Sequence, residues 1–254
     1  MNKTKIDWCD STWNPVTGCF HGCEYCYARG IANRFSTADK CHTFVNGHPI
    51  GKIHELDEQA IVIETSMKTP YPFGFEPTFH RYRLNEYQNK KGRNIFVCSM
   101  ADLFGDWVPD EWIEKVFKAC ENAPQHNYLF LTKNPKRYEK MLDRYMPPNM
   151  WFGWSQTGPM GDKCNFTTHH SVKTFISIEP LLEPFEEFYI RGVDWVIIGA
   201  ETGRRKNKVV PKRKWIEDIV NECRKKDIPV FMKSSLSDIW GEPLIQEFPE
   251  ELKK

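Results

Sequence analysis

Six short apolar runs constrain this chain more than any other feature. They read NIFVCSM at 94–100, NYLFLTK at 127–133, MWFGWS at 150–155, KTFISIEP at 173–180, DWVIIGAETG at 194–203 and IPVFMKSS at 228–235. Runs that are apolar on successive residues, and not merely on alternate ones, suit strands covered on both faces, as in a parallel sheet. An internal echo supports this. VPDEWIEKVFKAC at 108–120 aligns with VPKRKWIEDIVNEC at 210–223, allowing one extra residue, so that Trp112, Ile113, Val116, Phe117 and Cys120 recur as Trp215, Ile216, Ile219, Val220 and Cys223. The spacing predicts one apolar helical stripe in each copy, with Pro109 and Pro211 at the helix starts and Trp112 and Trp215 in the core. Each helix leads to an apolar strand ending in lysine, Lys133 or Lys233. Repeated strand–loop–helix units predict an α/β fold, a partial (β/α) TIM-like barrel of about six to seven parallel strands. A complete barrel would be tight in 254 residues.

With 40% apolar residues, the chain is long enough for one domain spanning 1–254 with a substantial core. Residues 36–93 fit the repeat poorly. Gly47, Pro49, Gly51, Pro70, Pro72, Gly74 and Pro77 break long helices there, so the segment reads as an irregular insertion. The formal charge is +1, so any attraction to nucleic acid must be local. No apolar run reaches the length of a membrane span, and MNKTKIDWCD lacks a secretory apolar stretch. These features predict a cytoplasmic protein with no membrane partner.

Three cysteines stand apart from this pattern. Within GCFHGCEYCYAR at 18–29, Cys19, Cys23 and Cys26 are separated by three and then two residues. Of the nine cysteines, Cys98, Cys120 and Cys223 lie in apolar runs and read as core residues, while Cys9, Cys41 and Cys164 show no pattern. Three clustered thiols cannot all pair as disulfides, and they form no apolar face, so they read as ligands of a soft metal or an iron–sulfur cluster. A structural zinc takes four ligands, and His21, Cys9, Cys41 or His42 would have to supply the fourth. His21 also reads as an ordinary loop residue. A four-iron cluster needs no fourth cysteine if its last iron is left open for a ligand.

At this point the sequence resembles the radical S-adenosylmethionine superfamily. The carriers are Cys19-x3-Cys23-x2-Cys26, with Tyr25 directly before the last cysteine, placed ahead of the repeated units. Further pieces resemble a short phage and bacterial branch of it: TWNPVTGC at 12–19, SMADLFG at 99–105, LTKNPKR at 131–137, SIEPLL at 177–182, GAETG at 199–203 and FMK at 231–233. The resemblance implies a 4Fe-4S cluster on the three cysteines, with S-adenosyl-L-methionine chelating the open iron. Reductive cleavage would then yield methionine and a 5′-deoxyadenosyl radical. It also implies Tyr25 near the adenine and a one-electron donor such as flavodoxin or ferredoxin. The superfamily's acidic glycine motif for the methionine ammonium is replaced here by CSMAD, where Ser99 and Asp102 are the expected substitutes.

If the strands are parallel, their carboxyl ends share one face with the cysteine loop. Polar residues collect at those ends: Ser99, Asp102, Thr132, Lys133, Ser155, Gln156, Glu179, Glu201, Thr202 and Lys233. Glu179 and Glu201, after strongly apolar runs, suit ribose hydroxyls or a substrate ammonium. Seven basic residues and no acid fall in GRRKNKVVPKRK at 203–214. Arg204, Arg205, Lys212 and Lys214 are therefore candidate phosphate contacts, and a nucleotide or nucleic acid a candidate substrate. The competing reading is a zinc- or cluster-stabilised nucleic-acid-binding module without catalysis. A non-radical methyltransferase leaves the cysteines unexplained.

Overall fold

The computed structural model describes residues 4–39, 42–43, 49–50, 53–143, 145–158, 172–185, 192–203 and 205–253. Arg204, Cys41 and Cys164 lie outside them. Seven strands, β1 Ser11–Trp13, β2 Asn94–Val97, β3 Asn127–Thr132, β4 Met150–Ser155, β5 Lys173–Ile178, β6 Trp195–Ile198 and β7 Val230–Met232, form one sheet. They are parallel throughout and lie side by side in chain order. Helices α1 Tyr27–Arg34, α2 Asp110–Glu121, α3 Lys136–Met141, α4 Arg213–Arg224 and α5 Ser237–Trp240 follow β1, β2, β3, β6 and β7. The result is an α/β half-barrel. Among the described residues no helix is long and apolar enough to cross a membrane.

Alternation along the strands explains why the runs read as apolar throughout. One face carries Ile95, Val97, Tyr128, Phe130 and Phe152 against the stripes of α2 and α3. Further along the sheet, Ile176, Ile178, Val196, Ile198, Val230 and Met232 meet α4. The other face carries Phe96, Leu129, Trp151, Phe175, Trp195, Ile197 and Phe231, which pack with Trp8 and Leu252 into a plug inside the half-barrel. Gly153 makes room for this plug, since a Cβ there would lie 2.4 Å from the Phe175 ring.

The echoed stripes are helical, as their spacing predicts. All five stripe residues of α2 are buried, and so are Ile216, Ile219, Val220 and Cys223 of α4. Trp215 differs: it is only partly buried, at the edge of its core. The prolines also sit earlier than expected. Pro109 is the N-cap of α2, and Pro211 precedes the Lys212 N-cap of α4.

Within the 36–93 insertion, Ile53–Leu56 pairs in parallel with Thr78–His80, which pairs antiparallel with Val16–Thr17 beside β1. The insertion is anchored on the barrel by Phe79, stacked 5.2 Å from Trp112, and by Glu55, which accepts from Trp112 Nε1.

Candidate functional site

The alternation that builds the plug also builds the site. Continued past the plug, it puts Lys133, Ser155, Ser177, Glu179, Glu201 and Lys233 on the inner face at the carboxyl ends of β3 to β7. These residues line one cavity, whose open space, mouth included, is about 1060 Å³. Trp8, Phe96 and Leu131 line it from the plug side, while Ser99, Asp102 and Thr132 line it from the ends of β2 and β3. Cys19, Cys23, Tyr25 and Cys26 supply its remaining wall. Cys19, Cys23, Cys26, Tyr25 and the strand-end candidates therefore meet in the same cavity, except Gln156, which does not line it. Arg205, Lys212 and Lys214 are not among its lining residues, and Arg204 lies outside the described residues.

The cysteine loop is shaped by close backbone packing. Gly18 has φ +86° and donates through its N–H to Met100 O at 2.9 Å. A Cβ on Gly18 would fall 2.2 Å from Glu76 O, so only glycine permits this approach. Next, Cys19 N–H donates to Phe75 O at 3.2 Å, which makes the insertion part of the site wall. Phe20 and His21 turn their rings edge-on to Trp107. The N–H of Cys26 donates to Cys23 O, and Cys26 then caps α1, its Sγ accepting from Arg29 N at 3.3 Å. A helix N-terminus favours negative charge, here a thiolate or a sulfide-rich cluster.

Several lining residues already have internal partners. Asp102 Oδ1 accepts from Thr132 Oγ1 at 2.7 Å and Phe104 N at 3.0 Å. Its Oδ2 accepts from Lys133 N at 2.8 Å and His21 Nε2 at 2.7 Å. A carboxylate offers about four acceptor sites, so Asp102 has none left for the ligand ammonium expected of it. Thr132 is likewise occupied, accepting from Asn134 N. Glu201 is held by Arg205 and by Val209 N, and Arg205 keeps its carboxyl below the usual carboxylate range.

Other groups still face the open space. Lys133 Nζ lies 3.3 Å from the Tyr25 hydroxyl and over the Tyr25 ring, and no carboxylate pairs with it among the described residues. Glu179 and Lys233 form an ion pair at the cavity wall. Ser99 Oγ donates to Asn14 Oδ1, while its carbonyl accepts from the Tyr27 hydroxyl at 2.6 Å. Of the basic run, Arg205 also reaches Glu24, and Lys214 pairs with Asp218 within α4.

The donor set suits a thiolate-bound metal group. Burial pushes the Cys19 thiol up to about 12, with Asp102, Cys26 and Cys23 adding to the rise. A thiol in that setting loses its proton only to a strong positive centre, which a coordinated metal supplies. Among the described residues, no group of three or more His, Cys, Asp or Glu is arranged to hold one metal ion. The cavity wall carries three cysteines, and each can serve a different metal atom of a cluster.

Ser177, Tyr27 and Phe75 are among the lining residues that escaped the sequence reading. Ser177 lies two residues beyond plug residue Phe175, so strand period alone could have found it. Tyr27 and Phe75 carried no such signal. His21, read as a loop residue, proves to be tied to Asp102.

No curated protein matches this sequence. Among solved structures, the chain is similar to a mutant spore photoproduct lyase with bound AdoMet and dinucleoside spore photoproduct, at 13% identity and a TM-score of 0.42. The alignment covers 70% of this chain and 48% of that one, so the chain spans about half the length of that structure. A family model described as a protein of unknown function, DUF5131, matches residues 3–247. Because that match takes in nearly the whole chain, the protein belongs to the DUF5131 family.

Proposed function

We propose that this protein is a radical S-adenosylmethionine enzyme in which Cys19, Cys23 and Cys26 hold a 4Fe-4S cluster. One observation carries this reading: the three thiols line the same cavity as the polar rim of a parallel half-barrel. Ligand sites collect at that end of such sheets. When bound, the cluster and S-adenosylmethionine supply reductive sulfonium cleavage and a 5′-deoxyadenosyl radical that abstracts hydrogen from a substrate.

The chain's own residues orient and shield. Cys26 at the α1 N-terminus places negative charge where the helix favours it. Glu179 and Lys233 present paired charges suited to ribose hydroxyls or an amino-acid ammonium and carboxylate. Tyr25 offers a ring for the adenine, and the plug below, with Trp8 and Phe96, keeps water from that side. Lys133, an ammonium without a carboxylate partner among the described residues, suits an anionic ligand. A nucleotide or nucleic-acid substrate fits that charge. The reducing electron would come from a small donor protein of the flavodoxin or ferredoxin kind, and the site belongs in a reducing cytoplasm.

The test is anaerobic purification with iron, sulfide and zinc measured per chain, followed by S-adenosylmethionine and dithionite. About four irons and four sulfides, with 5′-deoxyadenosine formed, are expected. Stoichiometric zinc without cleavage would instead support the nucleic-acid-binding module.

A further inference from the structure

We propose that His21 and Asp102 form a clamp that fixes the cysteine loop onto the ends of β2 and β3, which makes Asp102 a positioning residue. The inference rests on the proposed role of the cysteine loop, but its geometry stands by itself. His21 lies between Cys19 and Cys23. Its Nε2 donates to Asp102 Oδ2 at 2.7 Å, which assigns the ring proton to that nitrogen, because an ionised carboxylate only accepts. The Asp102 side chain is only 6% exposed and that of His21 23%, so the carboxylate end of this bond is the buried one.

The same carboxylate takes Phe104 N from the turn after β2, and Thr132 Oγ1 and Lys133 N from the end of β3. One buried group thus sets the position of the loop and the backbone of Lys133 together. Trp107 also packs edge-on against the His21 ring, with centroids 4.9 Å apart. Ring packing and hydrogen bond are therefore separable contributions.

Three variants separate them. His21→Phe keeps the ring and loses the donor, His21→Gln keeps a donor and loses the ring, and His21→Ala loses both. Amide exchange at Cys19 and Cys26 in the cluster-free protein reads loop opening, because both N–H groups are hydrogen-bonded. His21→Ala and His21→Phe are expected to exchange faster by about tenfold or more, the usual worth of a bond to a charged group. His21→Gln should stay within about threefold of the parent. In the iron-loaded protein, the Ala and Phe variants should also lose iron faster to a chelator.

Melting curves confirm that each variant folds. A His21→Phe protein as protected as the parent, or a His21→Gln protein as open as His21→Ala, would overturn the clamp. If the parent itself binds no iron, the proposed function fails, while amide exchange still judges the clamp.

Discussion

Arg205 grips Glu201 through two parallel hydrogen bonds, Nε to Oε1 and Nη2 to Oε2, both 2.7 Å, and reaches Glu24 Oε2 with Nη1 at 3.0 Å. Glu24 lies between Cys23 and Tyr25, so a loop that follows β6 is stapled to a loop that follows β1. The basic run thereby supplies a cation that ties the cysteine loop down. The Glu201 side chain is 1% exposed, and removing the guanidinium leaves its buried carboxylate with only the Val209 N–H. Arg205→Ala should lower stability, because the Glu201 carboxylate then loses both guanidinium hydrogen bonds. Urea unfolding of the two proteins measures it. Arg205→Lys should recover little, since one ammonium cannot replace the two-pronged contact.

The cysteines divide by location. Cys19, Cys23 and Cys26 line the cavity; Cys9 does not, and burial pushes its thiol up to about 12. Replacing any of the first three by Ala should abolish 5′-deoxyadenosine formation and reduce bound iron. Cys9→Ala should retain both within about twofold, as expected for a small packed residue. Iron assays and product chromatography on the four variants check this. A cavity-cysteine variant with full activity would refute the ligand assignment.

Two glycines of the loop predict different costs. Gly18 has φ +86° and abuts the Glu76 backbone, whereas Gly22 has φ +73° and nothing nearer to a Cβ than Phe20 O at 4.0 Å. Gly22→Ala meets only the conformational cost, about 1 kcal/mol. Gly18→Ala adds a backbone clash and should cost more than about 2 kcal/mol, because loop and insertion must separate. Denaturant titration of both variants gives the comparison, and equal costs would contradict the packing described.

His80 makes the fold sensitive to mild acid. It is fully buried, its Nε2 2.9 Å from Thr17 Oγ1 and its Nδ1 3.2 Å from the Tyr82 hydroxyl. Burial, helped by Arg83, holds its pKa well below the ordinary histidine value. The unfolded chain therefore takes up a proton near pH 6.5 that the folded chain refuses. Stability is fully present above that pH and falls below it by up to about 1.4 kcal/mol per pH unit. His80→Gln removes this contribution. Unfolding midpoints at about pH 7.5 and about pH 5.5 should drop more in the parent than in the variant.

Legibility followed the range of the interactions. The strands β2 to β7 could be read because both faces are apolar, and their carboxyl ends then carried the reading into the site, to Ser155 and Lys233 among others. Strand β1, with three residues reading STW, has too little pattern to announce itself, and the two- to four-residue strands of the insertion have no more. Local spacing found the cysteines. It could not find the partners that hold them, because His21 meets Asp102 across 81 residues and Arg205 meets Glu24 across 181. Nothing in a single sequence says which carboxylate a given cation or imidazole will reach.

Gly199 offers a way to disturb the cavity without disturbing the fold. It follows β6 between Glu179 and Lys233, and a Cβ there would lie 3.1 Å from Glu179 Cγ and Cδ and 3.1 Å from Lys233 Cδ. Its φ is not in the left-handed region, so alanine adds no backbone strain. The neighbours belong to flexible side chains and can move a few tenths of an ångström, which displaces the ion pair they form. Gly199→Ala should therefore keep its unfolding free energy within about 1 kcal/mol of the parent. Affinity for S-adenosylmethionine should fall about tenfold, or about 1.4 kcal/mol. Calorimetric titration of the iron-loaded proteins measures the second quantity and urea unfolding the first. Unchanged affinity would mean that the ligand does not use the Glu179–Lys233 wall.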